Sequence, residues 1–199
     1  MTTGGEAGLQ QIALFFLFFL TYSFLGWLCE SIYCSIPARR WVNRGFLTGP
    51  ICPVYGVGGL LIVCLLTPVQ DNLVLLYLFG VLVTSIVEYC TGFLLESIFH
   101  TRWWDYSQKK FNLQGRVCLK NSLLFGVLCV LLLRFVHPFI QRLFLRLPDG
   151  LLYTFAFLLA SIFLADTIFS IRAALQLSGK LQKLQDLLEE IRQKQELRN

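Results

Sequence analysis

The sequence predicts an all-α fold, a polytopic membrane helix bundle of about five transmembrane helices. Of its 199 residues, 56% are hydrophobic and only 15% are charged, and the mean hydropathy is +0.64. Such a composition is not that of a soluble domain. A helix needs roughly 20 mostly apolar residues to cross the hydrocarbon core of a bilayer. Five stretches meet this requirement: about residues 11–34, 50–67, 73–99, 121–141 and 150–172.

The second stretch is the weakest of the five, because Gly49, Pro50, Pro53 and Gly56 crowd its start. Two interpretations stay open. It is either an ordinary helix with a kinked first turn, or a re-entrant segment whose backbone must be shielded by protein or water. The first stretch has no basic region before it, since the first Lys or Arg is Arg39. We therefore expect it to remain as a helix and not to be cleaved as a signal peptide.

Basic residues are distributed very unequally between the two sides of the predicted bundle. The loops at 35–49 and 100–120 and the tail from Arg172 carry fourteen Lys and Arg residues, whereas the opposite side carries two. Because short cytoplasmic loops are enriched in Lys and Arg, we expect the N-terminus outside and the C-terminus in the cytoplasm. The net charge of +5 then reflects topology and contact with anionic membrane lipid, and we expect no nucleic-acid binding.

Two segments of the chain resemble each other and predict an internal repeat. Glu30 stands in L-C-E-S-I-Y and Glu96 in L-L-E-S-I-F, and a loop rich in Trp, Asn, Arg and Gly follows each of them. We expect one hairpin at about 11–66 and a second at about 73–140, related by an axis along the membrane normal. Chance similarity between two membrane-edge segments is the alternative.

The fifth helix, at 150–172, has no counterpart in the repeat and completes a transmembrane bundle of residues 1–172. Its Asp166 is a candidate partner for a basic residue elsewhere in the bundle. In the cytoplasmic tail, 173–199, apolar residues alternate at spacings of four and three, which is a short heptad seam. These residues are Leu177, Leu181, Leu184, Leu188 and Ile191. We predict an amphipathic, coiled-coil-like tail helix, which either self-associates or lies on the membrane surface.

Polar residues in or beside the spans are the candidates for a functional site, because a carboxylate in hydrocarbon is costly unless it is partnered. Glu30, Glu88 and Glu96 are such carboxylates, and Glu88 is the deepest of them. Arg44 and Arg116 in the two loops offer planar guanidinium groups that suit phosphate or carboxylate. We expect these charges to converge on one cytoplasm-facing site. The other ligand-binding candidates are two amides, an indole and a carboxylate: Asn43, Asn112, Trp104 and Asp105.

A structural role for the same residues is the alternative. Arg44 would then pair with Glu30 or Glu88, and a Glu–Arg network would hold the two hairpins together; the functional counterpart is a cation or proton site. The seven cysteines and two histidines show no metal-ligand spacing, so we expect no metal site. No Walker loop or other cofactor-binding motif occurs, and we expect no cofactor.

Five runs of the chain carry a family resemblance. They are G-W-L-C-E-S-I-Y at 26–33, N-R-G-F-L-T-G-P-I-C-P-V-Y-G at 43–56, E-Y at 88–89, L-L-E-S-I-F-H-T-R-W-W-D-Y-S at 94–107 and F-N-L-Q-G-R-V-C-L at 111–119. Together they resemble the small bacterial multi-pass membrane proteins labelled putative ABC transporter permeases, type IV or CmpB-like. The resemblance covers about residues 20–130. It implies a location in the bacterial cytoplasmic (inner) membrane, but neither a substrate nor catalytic residues.

Three functions stay open. The first is a transporter or permease-like component with a polar, cytoplasm-facing pocket between the two hairpins. The second is a membrane-embedded enzyme acting on a phospholipid or headgroup at the inner leaflet, where Arg44 and Arg116 would clamp a phosphate. The third is a non-catalytic membrane scaffold or accessory protein. We favour the first, which is not an enzyme. Its expected partners are membrane lipid, a separate ATPase subunit and, through the tail helix, a second copy of the chain.

Overall fold

The computed structural model describes residues 4–196 and, beyond residue 177, only some of the side chains. Six α-helices form a bundle: α1 (Gly4–Ala38), α2 (Pro53–Leu66), α3 (Leu73–Phe99), α4 (Leu119–Leu131), α5 (His137–Phe144) and α6 (Asp149–Glu196). A 3₁₀ turn at Thr67–Val69 follows α2, and a π-helical turn at Leu132–Val136 joins α4 to α5. Two short antiparallel strands, β1 (Asn112–Leu113) and β2 (Val117–Cys118), lie between α3 and α4. The predicted helical fold class is confirmed.

Four apolar segments of the described chain are long enough to cross a membrane: Ala7–Ala38, Leu73–Phe99, Leu119–Phe144 and Asp149–Leu177. The predicted second span is a shorter apolar helix, Pro53–Val69. At the rise of an α-helix followed by a 3₁₀ turn it is roughly 27 Å long, at the lower limit for a spanning helix. The number of spans, predicted as about five, therefore depends on α2.

Glycines in the second span are contact points between α1 and α2. A Cβ at Gly56 would meet Phe19 and the hydroxyl of Ser23, and a Cβ at Gly59 would meet the ring of Tyr22. The backbones of α1 and α2 therefore approach as closely as they do only because these positions lack side chains. The same glycines that weaken the second span as an isolated helix allow it to pack closely against α1.

Both long helices that precede a loop end on a residue in the left-handed conformation. Arg39, just after α1, has φ 50°, and His100, just after α3, has φ 52°. The loops that follow, at 40–52 and 101–118, contact each other, since the ring of Phe46 lies 5.1 Å from that of Trp103, centroid to centroid. Both loops therefore lie at one end of the bundle, which we call the loop end.

The fifth helix and the tail form one continuous helix, α6. Asp166 of α6 accepts a hydrogen bond from the backbone N–H of Gly49 at 3.0 Å, so its partner is the first loop and not the basic side chain expected from the sequence. Ser170 accepts a second bond, from the backbone of Thr48, also at 3.0 Å. Of the predicted heptad seam, Leu177, Leu184 and Leu188 are exposed. The side chains of Leu181 and Ile191 lie outside the described residues, and the seam stays a prediction.

Candidate functional site

The first loop folds back onto the last turns of α1. The backbone N–H of Val42 donates to Ser35 Oγ at 2.9 Å, and that of Arg44 donates to Ser31 Oγ at 3.3 Å. The indole of Trp27 donates to the Asn43 side-chain oxygen at 2.6 Å. Asn43, a ligand-binding candidate, therefore has its carbonyl oxygen bonded to Trp27.

Arg44 lies on the surface of this loop. Its guanidinium interacts with the side chain of Cys34 and with the negative charge of Glu30. Within the described part of the chain, Arg44 forms no ion pair with a carboxylate at 4.0 Å or less. Arg44 is therefore near Glu30 without neutralising it directly.

In the second loop, polar candidate residues hold the turn itself. The Asn112 amide donates to the carbonyl of Lys109 at 2.8 Å, and its oxygen accepts from the backbone of Gly115 at 3.0 Å. Gly115 has φ +72°, where a side chain would be strained. Asp105 accepts from both the hydroxyl and the backbone N–H of Ser107, and these bonds lower the pKa of Asp105. Asn112 and Asp105 thus have a structural function in this loop.

Glu96 forms ion pairs with two arginines of the second loop. Its Oε1 lies 2.9 Å from Arg102 Nε and its Oε2 lies 2.7 Å from Arg116 Nη2. The hydrogen bond to Glu96 raises the pKa of Arg102. Arg116 also donates to Gln114 at 2.6 Å, and its carbonyl accepts from the indole of Trp104 at 2.9 Å. We call Glu96, Arg102 and Arg116 the Glu96 network. In it, both carboxylate oxygens of Glu96 are paired with an arginine.

A second polar group lies where the two helical hairpins, α1–α2 and α3–α4, meet near the loop end. Each of the four helices contributes one side chain to it, and each of the two loops contributes another. We call these six residues the inter-hairpin cluster: Glu30 from α1, Tyr55 from α2, Glu88 from α3, Asn121 from α4, and Arg44 and Tyr106 from the loops.

Interactions connect the members of this cluster in a chain. The hydroxyl of Tyr55 is placed to donate to the carboxylate of Glu30. The two carboxylates of Glu30 and Glu88 lie close enough to repel each other. Tyr106 interacts with Glu88 on one side and with the amide of Asn121 on the other. The cluster therefore runs continuously from the first hairpin to the second.

Glu88 is the buried end of this chain. Only 8% of the residue is exposed, and its Oε2 atom has no hydrogen-bond partner among the described residues. Buried polar atoms in native proteins are nearly always hydrogen-bonded, and a buried charge left unpaired is costly. An unsatisfied carboxylate oxygen at this position therefore requires an explanation, and a bound ligand provides one.

The neutral members of the cluster are suited to donating hydrogen bonds. Burial raises the pKa of Tyr106, and the negative charge of Glu88 raises it further, so the phenol keeps its proton at neutral pH. Cys52 lies outside the cluster; burial raises the pKa of its thiol to about 12, with the charge of Glu30 adding to the shift. Cys52 is therefore an un-ionised thiol and not a reactive one. Among the described residues, no three His, Cys, Asp or Glu side chains lie together as a metal site.

The candidate residues therefore belong to two different sets of contacts. Glu30, Glu88 and Arg44 belong to the inter-hairpin cluster, whereas Glu96 and Arg116 pair with each other in the second loop. Tyr55, Tyr106 and Asn121 are not among the candidates predicted from the sequence. One signal for Asn121 existed: Tyr55 and Asn121 each stand three residues after a helix-capping cysteine, Cys52 and Cys118.

The apolar, membrane-length helices, with carboxylates held between them, define a multi-pass helical membrane protein. Residues 17–171 match the model of a family described as "Putative ABC-transporter type IV", and the chain belongs to that family. The family description indicates a component of an ABC transporter, and the resemblance found in the sequence motifs is confirmed. No curated protein and no solved structure matches the chain.

Proposed function

We propose that this protein is a permease-like transporter component whose polar, cytoplasm-facing pocket lies between the two hairpins, at the inter-hairpin cluster. One observation carries the proposal. Glu88 is buried with an unpartnered oxygen at the point where α1, α2, α3 and α4 all contribute polar side chains. Ionisable residues inside a membrane bundle most often mark a substrate or ion pathway.

The composition of the cluster favours transport over a purely structural role. A structural ion pair needs its charges satisfied, as Glu96 is by two arginines. In the cluster the two carboxylates repel each other, and they belong to different hairpins. Movement of one hairpin against the other would change the distance between them, which is how alternating access works in transporters built from repeats. A ligand that binds between the carboxylates would bias that movement.

The lipid-enzyme alternative receives less support from the same geometry. It requires Arg44 and Arg116 to clamp one phosphate. The guanidinium of Arg116 is occupied by Glu96 at 2.7 Å and by Gln114 at 2.6 Å. Its Nη1 and Nη2 atoms would have to give up these partners to bind a lipid headgroup, and the remaining Nε, which has no hydrogen-bond partner among the described residues, is buried.

The proposal also covers the orientation of the protein in the membrane and its partner proteins. The unequal distribution of basic residues supports an orientation in the bacterial inner membrane with the loop end and the tail in the cytoplasm. Because the sequence has no Walker motif, a separate ATPase subunit would supply the energy. We propose that this subunit docks at the loop end. We also propose that the tail of α6 pairs two copies of the chain, which a size measurement before and after deletion of residues 178–199 would test.

The test uses everted membrane vesicles from cells that overproduce the wild-type chain or Glu88→Gln, with an otherwise identical strain that lacks the chain as the blank. ATP is added outside, on the cytoplasmic side, and the vesicle contents are compared by mass spectrometry and elemental analysis. We expect an ATP-dependent gain or loss of at least one solute with wild-type protein and not with Glu88→Gln. Identical contents with and without the chain would contradict the proposal.

A further inference from the structure

Building on the proposed function, we propose that the inter-hairpin cluster binds a monovalent cation between Glu30 and Glu88, either a free alkali ion or the ammonium group of a small amine. The cation would be the transported substrate. The reasons are the charge of the cluster, the unpartnered atom of Glu88 and the kinds of neutral side chain around it.

The charge of the cluster is the first reason. Two carboxylates, one from each hairpin, lie close enough to repel each other, and Arg44 is a cationic side chain that interacts with Glu30. Arg44 is exposed and makes no direct ion pair with either carboxylate in the described part of the chain. The six residues therefore carry a formal charge of minus one when both carboxylates are ionised. A single positive charge balances them, whereas an anionic ligand would add to the repulsion.

The unpartnered oxygen of Glu88 is the second, independent reason. Protonation would remove its charge, but it would not supply the hydrogen-bond donor that Oε2 lacks among the described residues. A cation satisfies the oxygen directly, and it removes the repulsion between the two carboxylates at the same time. A bound cation therefore removes two unfavourable contributions, the unpaired oxygen of Glu88 and the repulsion between the carboxylates, which a proton removes only in part.

The neutral side chains narrow the choice of cation. Tyr55 and Tyr106 add hydroxyl oxygens beside the two carboxylates, and Asn121 adds an amide group beside Tyr106. Divalent Ca²⁺ takes six to eight oxygen ligands, commonly with several carboxylates, and Mg²⁺ demands near-octahedral geometry. Two carboxylates, one of them beside an arginine, suit a lower charge. The aromatic rings also suit an ammonium group, which is attracted to the face of tyrosine.

The binding test uses the full chain, purified in mild detergent at constant pH and ionic strength. N-methyl-D-glucamine chloride is replaced stepwise by sodium, potassium, ammonium or methylammonium chloride while thermal unfolding is followed by tryptophan fluorescence. We expect a saturable rise of the unfolding midpoint with at least one of these cations, since a ligand that binds only the folded state stabilises it. Saturation by sodium or potassium identifies an alkali-ion site, and saturation by ammonium or methylammonium alone identifies an amine site.

Two variants locate the bound cation. Glu88→Gln keeps the shape of the side chain and should weaken the apparent affinity about tenfold or more, which corresponds to one lost charged contact. The matched control is Glu96→Gln, taken from the repeated E-S-I motif, which should retain the wild-type affinity. Tyr106→Phe removes one hydroxyl and gives an intermediate loss, so it decides the question if Glu88→Gln elutes as an aggregate in size-exclusion chromatography.

The proposal is overturned if the wild-type midpoint is the same in every cation, or if Glu88→Gln responds as wild type does. This failure is separable from failure of the proposed function. ATP-dependent flux of some other solute without cation binding would overturn the cation site and leave the transport proposal standing. Cation binding without ATP-dependent flux would overturn the transport proposal and leave the cation site standing.

Discussion

The two glutamates of the repeated E-S-I motif have nearly the same neighbours in sequence and different partners in space. Glu96 has both carboxylate oxygens in ion pairs with Arg102 and Arg116. Glu30 interacts with a tyrosine, an exposed arginine and the carboxylate of Glu88. The first arrangement pairs both oxygens of its carboxylate and holds the second loop together. The second leaves negative charge unbalanced between the hairpins, which is what a binding site for a cation requires.

The difference follows from what each loop supplies. The second loop places Arg102 six residues after Glu96 and folds Arg116 back onto the same carboxylate. The first loop folds against α1 through serine and tryptophan hydrogen bonds, which keep Arg44 near Glu30 but not in contact with it. Similar motifs therefore give a paired carboxylate in one hairpin and an available one in the other.

The largest expected effect compares two equivalent glycines, each four residues before a motif glutamate. A Cβ at Gly26 would overlap the ring of Tyr55, whereas a Cβ at Gly92 would come 3.2 Å from Trp104. We expect Gly26→Ala to lower the free energy of unfolding by about 1–3 kcal/mol and to displace Tyr55 from Glu30. Gly92→Ala should cost less, because the indole edge can shift by a few tenths of an ångström. Thermal unfolding of both variants checks this, and equal losses would contradict it.

A second comparison concerns the two arginines, for which we expect effects of opposite sign. Arg116→Gln removes a partner of Glu96 and should lower the unfolding midpoint without changing cation affinity. Arg44→Gln removes the positive charge that competes for Glu30, so it should raise cation affinity, by up to about fivefold for a surface charge. The cation titration measures both. Loss of affinity in Arg44→Gln would mean that this arginine forms part of the binding site.

These comparisons show how much of the molecule could be predicted from sequence. Apolar runs predicted the third span, 73–99, at the residues where α3 lies, Leu73–Phe99, because a membrane helix is determined by its own composition. The helix predicted for 150–172 continues into the tail as part of α6, since no glycine or proline interrupts it at residue 172, and the division into bundle and tail stays a prediction. The partners of Glu30 and Glu96 could not be derived, because they depend on how each loop folds back. The repeated motif could be recognised in the sequence, but the interaction partners of its glutamates could not.

A smaller effect is expected from the two indole hydrogen bonds. Trp104 donates to the carbonyl of Arg116 in a partly buried position, and Trp27 donates to Asn43 in an exposed one. We expect Trp104→Phe to lose about 1 kcal/mol of stability, a typical value for one hydrogen bond, and Trp27→Phe to lose less because water replaces its partner. Chemical denaturation of the two variants gives the comparison. A larger loss for Trp27→Phe would show that the first loop is the more rigid of the two.

The smallest effect is a pH dependence of the second loop. The hydrogen bonds from Ser107 lower the folded-state pKa of Asp105. Stability from this group is therefore fully present above the unfolded pKa of about 3.9 and is lost as pH falls through the lower folded value. Unfolding midpoints measured from pH 6 to pH 3 should fall less steeply below pH 4 in Asp105→Asn than in wild type. Parallel curves would show that Asp105 makes no such contribution.

The most direct test of the account compares Glu88 and Glu96 within the same molecule. Dicyclohexylcarbodiimide forms a stable adduct with protonated carboxyl groups in apolar surroundings, and peptide mass spectrometry locates the adduct. We predict that Glu88 is modified in N-methyl-D-glucamine chloride and is protected by the cation that stabilises the protein. We predict that Glu96, held ionised by two arginines, stays unmodified in both conditions. Equal modification of the two glutamates, or modification of Glu88 that no cation prevents, would contradict the distinction between a paired and an available carboxylate.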